Sequence, residues 1–332
     1  MYGFECGLAG VVYYALVPTV GGFLLWYLGA ARVTGAEASL FTAVAPVSAV
    51  LLAALVLGEA VNPNQIVGIG CVLFAVLSLG LSQAGVLRCA DLVLRPTRGD
   101  QNMHFSHSEE MWRDFPELAA GVLFVEGITP GAEVSERVAT FTAAADKRLG
   151  AGPESELPEI QAWRRAFQRM GLKPTQYRCA SEALLRRFRK EGTLPAIHPL
   201  IDLCNAASLA SAIPVAAIDV AKVDGWLEVR HATGGGSYLT FSGEVEHPDP
   251  REVIFADRSG NAHARRWTNR QSGLSAVRRE TATVLIVAEA LHETATADVA
   301  RLVDELAEAV AGAWGGSPKT ALLSRSAPRF AF

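Results

Sequence analysis

The stretch EALLRRFRKEGTLPAIHPLIDLCNAASLASAIPVAAID, Glu182–Asp219, is the one around which the rest of the chain is arranged. It opens as an amphipathic helix, with Leu184, Leu185 and Phe188 on one face and Arg186, Arg187, Arg189 and Lys190 on the other. Gly192 is placed to end that helix. A buried-looking run, Leu200–Asn205, follows, with two polar residues, Asp202 and Asn205, inside it. Ala206–Ala212 has the small-residue composition of a short packed helix. Pro214 opens another apolar segment, closed by Asp219. Cations beside a core segment with embedded polar groups point to a site as well as a scaffold.

Outward from this stretch the composition is uneven. The 332 residues allow two domains, and half of them are hydrophobic. Before Arg88 only Glu5, Arg32, Glu37 and Glu59 are charged, whereas charge is dense afterwards. The net charge of −4 averages over that split and says little about partners. Apolar stretches near Ala9–Ala30, Ala36–Leu57 and Gln65–Ser82 each approach the ~20 residues that cross a bilayer. They predict three transmembrane helices within residues 1–87. Arg32 on one side of span two, and Arg88, Arg95 and Arg98 after span three, predict a cytoplasmic rear and an external Met1. Residues 88–104 read as a linker, 105–316 as a soluble α+β domain, and 317–332 as a flexible tail.

Five scattered cysteines with no CxxC imply neither a zinc site nor a disulfide framework. His104 and His107 are spaced HxxH but lack a third ligand, so no metal is expected, and no cofactor motif is present.

Within the soluble part, Ala119–Val125 reads as a buried strand, and Val134–Leu149 and Pro158–Met170 as helices. Trp226–Arg230, Tyr238–Phe241 and Val253–Ala256 read as short strands. Thr283–Leu291 is a strand or a short helix, and Thr296–Trp314 a closing amphipathic helix. The glycines at 234–236 precede no helix and so are not a phosphate loop. Gln161–Lys190 holds nine Lys or Arg against one acid, Glu182. This tract, with Arg164 and Arg165 on the helix before the opening one, is either a solvated face or a phosphate footprint. A second tract, Ala264–Ser272, combines Arg265, Arg266 and Arg270 with Trp267, the composition that grips single-stranded nucleic acid.

The pattern SEALLRR…LP.I…LID..NA.SL….PV.A.D, residues 181–219, resembles the B3/B4 domain. That module occurs in the beta subunit of bacterial phenylalanyl-tRNA synthetase and as stand-alone proteins, and the resemblance spans roughly Phe105–Glu293. It implies a domain that binds tRNA or aminoacyl-tRNA. In the synthetase the module hydrolyses the ester of mischarged tRNA, so the chain is expected to be a trans-acting deacylase or, alternatively, a binding module without catalysis. The resemblance places Asn205 at a pocket asparagine and Cys204 where the synthetase usually has threonine. Asn205, Ser208, Cys204 and Asp219 are the substrate-pocket candidates. Arg164, Arg165, Arg186, Arg187, Arg189, Lys190, Arg265, Arg266, Trp267 and Arg270 are the nucleic-acid candidates. One departure stands out: the synthetase has a histidine at the position of Ala216, and of His198, His231 and His263 none obviously replaces it. Ligase activity is associated with the chain only through this domain.

The segment with Leu25–Tyr27, Gly35–Phe41, Ala45–Val47, Gly58–Glu59 and Ile69–Gly70 resembles the end of an EamA-type drug/metabolite transporter. In that family it corresponds to three of about ten spans, too few to form the transport path. The front is thus either a fusion that tethers the domain to a membrane through residues before Arg88, or the product of two neighbouring genes joined together. If translation starts at Met103 the domain is cytoplasmic.

Overall fold

The computed structural model describes residues 103–332 and the isolated positions Val20, Val56 and Gly68. Apart from those three positions, the three predicted spans lie outside the described residues. Among the described residues, no helix is long and apolar enough to cross a membrane. The chain divides between Gly99 and Asp100, and residues 103–332 fall in the second unit.

That unit is α+β. It begins with β1 (His104–His107), α1 (Glu109–Asp114) and β2 (Ala119–Glu126). Four helices follow: α2 (Ser135–Ala151), α3 (Pro158–Arg169), α4 (Ala180–Glu191) and α5 (Pro199–Ser211). Next come strands β3 (Val215–Asp219), β4 (Leu227–His231), β5 (Tyr238–Leu239) and β6 (Val245–Glu246). They are followed by β7 (Val253–Asp257), β8 (Ala262–Arg265), β9 (Arg270–Gln271) and β10 (Thr283–Ala290). Helix α6 (Ala295–Trp314) and strands β11 (Lys319–Leu323) and β12 (Arg329–Ala331) complete it.

A four-stranded sheet has the order β11-β2-β10-β3, and a six-stranded sheet the order β12-β1-β4-β7-β8-β9. β5 and β6 form a separate hairpin. The four-stranded sheet is covered on both faces, which is why β2 and β10 read as unbroken apolar runs. Alternate residues serve different cores. Leu123, Val125, Val284 and Ile286 join Leu200, Leu203, Val299 and Leu306 on the side of α5 and α6. Val122, Phe124, Leu285 and Val287 join Trp163, Phe167, Leu185 and Trp267 on the other side.

The helices follow their sequence signals. Pro158 opens α3, and its Ile160, Trp163 and Phe167 are buried at helical spacing. α4 ends at Gly192, whose φ of 73° puts it in the left-handed cap where glycine is favoured. The run at Leu200–Asn205 is not separate from the small-residue helix after it. Both belong to α5, capped by the His198 ring, which accepts from the Leu200 amide at 3.2 Å. Leu200, Leu203, Cys204 and Ala207 form its buried stripe, and Asp202 and Asn205 sit on its half-exposed side. The expectation for residues 317–332 is corrected. Instead of a flexible tail they supply β11, which pairs with β2, and β12, which pairs with β1. Their backbone amides satisfy two sheet edges that would otherwise be open.

Candidate functional site

Strands β3 and β10 lie antiparallel with Ala216 opposite Val287. Pro214, Val215 and Ala216 form one wall of a crevice of about 60 Å³, and Val287 and Glu289 belong to another. The segment Trp267–Gln271 and the start of α4 at Ala180 close it. Glu289 is 2% exposed. A carboxylate so deep in an apolar sheet is costly unless both oxygens are bonded. Here Oε1 lies 2.6 Å from Nε2 of His107, and Oε2 accepts from the indole Nε1–H of Trp267 at 3.0 Å. His107 reaches the site from β1, its ring set edge-on to Phe105 at 5.2 Å and beside Trp112 at 5.0 Å.

The turn at the far wall is strained. Arg266 and Trp267 have φ of 47° and 59°, a region that bulky L-residues rarely occupy. Surrounding bonds hold it there. The Trp267 amide donates to Val253 O at 2.8 Å, the Arg266 amide to Glu252 Oε1 at 3.0 Å, and Thr268 O accepts from the Ala180 amide at 2.8 Å. Asn269 Nδ2 donates to Arg178 O at 2.7 Å. Trp267 is also gripped edge-on by Phe115 and Trp163, with centroids 4.8 and 4.9 Å away. Strain maintained in this way is found at ligand sites. Thr268 is among the residues that line the crevice, and its buried hydroxyl has no hydrogen-bond partner among the described residues. Such an atom has hydrogen-bonding capacity left for a ligand or a water.

The four substrate-pocket candidates do not converge. Asn205 lines a different hollow, of about 430 Å³, between α2, α5 and residues 192–196, with Thr142, Asp146 and Asp202. Cys204 is buried against the core on the other side of α5, and burial pushes its thiol up to about 12, which leaves no thiolate for attack. Ser208 is fully buried and its hydroxyl donates to Ile213 O at 2.6 Å. Asp219 accepts from the Ala221 amide at 3.0 Å and from Thr281 Oγ1 at 2.8 Å, which fixes a turn. None of the four lines the crevice beside Glu289, whereas Ala216 does. The three histidines are engaged elsewhere: His198 caps α5, His231 meets Asp114 at 3.3 Å, and His263 meets Asp257 at 3.3 Å.

The nucleic-acid candidates are mostly spoken for by acids. Arg164 makes two bonds to the buried carboxylate of Glu182, at 3.2 and 2.6 Å. Arg186 and Arg189 flank Glu154 at 3.5 and 3.3 Å, and Arg187 pairs with Glu191 at 2.9 Å. Arg270 meets Glu246 at 3.2 Å. The guanidinium of Arg266 lies over the Tyr177 ring at 4.8 Å. Two expectations are corrected. Arg265 is buried between Glu252 and Glu246, at 2.7 and 2.6 Å, and cannot meet a phosphate without unfolding its strand. Trp267 has no exposed surface, so it cannot stack on a base; it is a core residue that orients Glu289. Arg165 and Lys190 remain exposed and make no ion pair among the described residues. Arg186, Arg187, Arg189 and Lys190 share a shallow hollow of about 490 Å³ with Glu154 and Glu191.

Glu289 was not among the candidate residues, and His107 was noted only for its HxxH spacing with His104. The signal was present for Glu289: it is an acid inside the apolar run 283–291. Nothing in the sequence around His107 indicates that it pairs with Glu289, 182 positions away.

Residues 162–309 match the family model of the B3/4 domain, and residues 6–81 that of the EamA-like transporter family. Over 63 residues the chain is 44% identical to YetK, an uncharacterized transporter of Bacillus subtilis (strain 168); the match covers 19% of each chain. Over 75 residues it is 32% identical to the phenylalanine–tRNA ligase beta subunit of Chromobacterium violaceum, covering 23% of this chain and 10% of that subunit. The chain thus spans about a fifth and a tenth of the lengths of these two relatives. A solved N-terminal fragment of the phenylalanyl-tRNA synthetase beta subunit from Pyrococcus horikoshii aligns over 65% of this chain and 49% of its own, at 9% identity and a TM-score of 0.34. Glu289, Ala216 and the strained turn fall inside the matched residues, and His107 precedes them. The chain therefore carries a B3/4 domain at residues 162–309, preceded in sequence by a segment of the EamA-like transporter family at residues 6–81.

Proposed function

We propose that this chain binds the aminoacylated 3′ end of tRNA at the crevice beside Glu289 and hydrolyses its ester. The observation that carries the reading is Glu289, a buried carboxylate fixed by two donors on the wall of a crevice within a B3/4 domain. An aminoacyl ester brings one cation, its α-ammonium, and a fixed carboxylate is the group that would receive it. In this reading the crevice orients a water at the ester carbon. Water then adds its oxygen to that carbon, the ester C–O bond breaks, and the ribose oxygen leaves with a proton. Free amino acid and uncharged tRNA are the products. Of the candidate cations, Arg165 and Lys190 are exposed and outside any ion pair among the described residues, and so are free to meet phosphates.

The second reading, binding without hydrolysis, is favoured by a specific pair of observations. Both oxygens of Glu289 are already engaged, and Ala216 supplies no base. In either reading, residues 6–81 would hold the domain at a membrane, with the cations after residue 87 on the cytoplasmic side. If the front is instead a joined remnant, the domain works in the cytoplasm.

The test mixes the full-length chain with correctly charged and mischarged tRNAs and follows ester loss above the spontaneous background. Loss that disappears in Glu289→Gln supports the deacylase. Salt-sensitive tRNA binding with no ester loss leaves a binding module. Neither loss nor binding removes tRNA from the account.

A further inference from the structure

We infer that the RNA strand leading to the aminoacylated 3′ end runs along the exposed side of α4 and lays its phosphates in the basic hollow at the far end of that helix; this rests on the crevice being the aminoacyl site. The first observation is position. Ala180, the first residue of α4, lines the crevice. Arg186, Arg187, Arg189 and Lys190, near the other end of the same helix, line the hollow. At a rise of ~1.5 Å per residue these cations lie ~9–15 Å along the axis from Ala180. A stacked strand carries one phosphate per ~3.4 Å, so that distance spans about three to four nucleotides.

The second observation is charge along the way. Before Glu191 the one acid of α4 is Glu182. It is fully buried, and it is matched by two arginines, Arg164 at 2.6 Å and Arg178 at 3.5 Å. Ala183 is the other fully exposed residue of the helix ahead of Arg186. A polyanion lying on this side therefore meets no exposed carboxylate of α4 between the crevice and the hollow. Cations in a last turn complement the helix dipole, but that effect is confined to the turn and does not account for the surplus beside Glu182.

The third observation is how the hollow's own acids are used. The buried carboxylate of Glu154 lies 3.5 Å from Arg186 and 3.3 Å from Arg189, longer than the ~2.7–2.9 Å of a charge-assisted hydrogen bond. Arg189 is also anchored by a bond to Gly152 O at 2.7 Å. Glu154 thus holds two guanidiniums in place while leaving N–H donors of each fork for a phosphate. Arg187 pairs with Glu191 at 2.9 Å, but both side chains are more than two-fifths exposed, and such a surface pair is weak enough for a phosphate to displace the carboxylate. Lys190 has no ion pair among the described residues. Four cations against two acids leave the hollow with an excess of positive charge.

The test uses the full-length chain and two amide probes that cannot be hydrolysed: 3′-alanylamino-adenosine, which has no phosphate, and a short RNA of about four nucleotides ending in the same group, the length that reaches the hollow. The expected result is that the RNA probe binds at least tenfold more tightly than the nucleoside, with a gain that shrinks as salt rises. Arg187→Gln combined with Lys190→Gln should lose most of that gain, while the melting temperature stays near that of the parent because both side chains are exposed. Arg187→Lys combined with Lys190→Arg, which keeps both charges, should retain it. For whole tRNA the Gln pair should lower the salt slope by ~1.4, at ~0.7 per phosphate on a single strand. A gain that persists in the Gln pair overturns the path and leaves tRNA binding at the crevice standing. Equal binding of the two probes by the parent, or equal weakening of both by the Gln pair, also overturns the path. A gain lost in the Gln pair, with no ester loss from charged tRNA, keeps the path and removes hydrolysis. Probes and tRNA all unbound remove the path and the tRNA reading together.

Discussion

At the scale of single residues the site depends on how one carboxylate is kept inside a sheet. Removing a partner from a buried pair leaves an uncompensated group and typically costs ~3–5 kcal/mol. His107→Ala is expected to lower stability by an amount at the lower end of that range, measured by urea unfolding, because Trp267 still donates to Glu289. His107→Gln, which keeps a donor, should recover part of it. A second buried acid gives a pH signature. Burial pushes the Asp257 carboxyl up, but donors from His263 and from the backbone and side chain of Asn261 outweigh it and hold it at about 2. Its folded value is depressed, so its stabilisation is present above the ordinary value of 3.8 and is lost as pH falls through about 2. Asp257→Asn should therefore cost about 2 kcal/mol at pH 7, and the gap to the parent should narrow when denaturation is repeated near pH 3. An unchanged gap at pH 3 would show that the loss is one of shape and not of charge. Much of this was legible only in part. Ala216 was recognisable in sequence as the point of departure from the B3/B4 pattern, and it does line the crevice. Asn205, Ser208, Cys204 and Asp219 were grouped by their closeness along the chain, but Cys204 is buried in the core, the Ser208 hydroxyl is buried on Ile213 O, and Asn205 lines a separate hollow.

At the scale of elements, local signals were reliable where one period dominated. The caps at Pro158 and Gly192, and the stripes of α3 and α4, were plain in the sequence and stand in the structure. The reading of α5 broke in two because Leu-Ile-Asp-Leu-Cys is equally a buried run and a helical turn, and His198 is an unusual cap. The basic tracts misled for a physical reason. Arg164, Arg186, Arg187 and Arg189 are paired with Glu182, Glu154 and Glu191, and Arg265 with Glu246 and Glu252. Several of those acids are distant in sequence, so a count within a window saw cations without their partners. The packing of α6 on β2 offers a direct test. A Cβ built at Gly121 would lie 2.7 Å from Val299 Cγ1 and closer still to Val303 Cγ2. Gly121→Ala should lower stability by ~1–3 kcal/mol through overpacking, seen as a lower denaturant midpoint with the slope unchanged. No change in midpoint would mean that α6 shifts freely on the sheet.

At the scale of the whole described unit, both sheets are finished by the last residues of the chain. A stop codon after Gly316 would strip β11 from β2 and β12 from β1. The shortened protein is expected to melt earlier and to self-associate, because two sheet edges, along β2 and β1, become available for pairing with another copy. Light scattering beside a thermal melt would check this; a monomer with an unaltered melt would contradict it. Sequence could not foresee this role. β11 and β12 are short, their exposed residues mimic a frayed end, and the pairing that orders them is with β2 and β1, near the other end of the unit. Overall class was easier. The alternation of apolar runs and amphipathic helices specified α+β, while sheet order depended on contacts that no local window contains.

The pairing of β1 with β12 has a further consequence. His104 lies opposite Ala331, and the Phe332 amide donates to Met103 O at 2.9 Å. The chain enters and leaves this unit at one place. A fold so arranged can be spliced as a cassette into the loop of a host protein, or circularly permuted by a short bridge between 332 and 103, with neither sheet rewired. His107, three residues from that doorway, would carry its half of the Glu289 pair along with it.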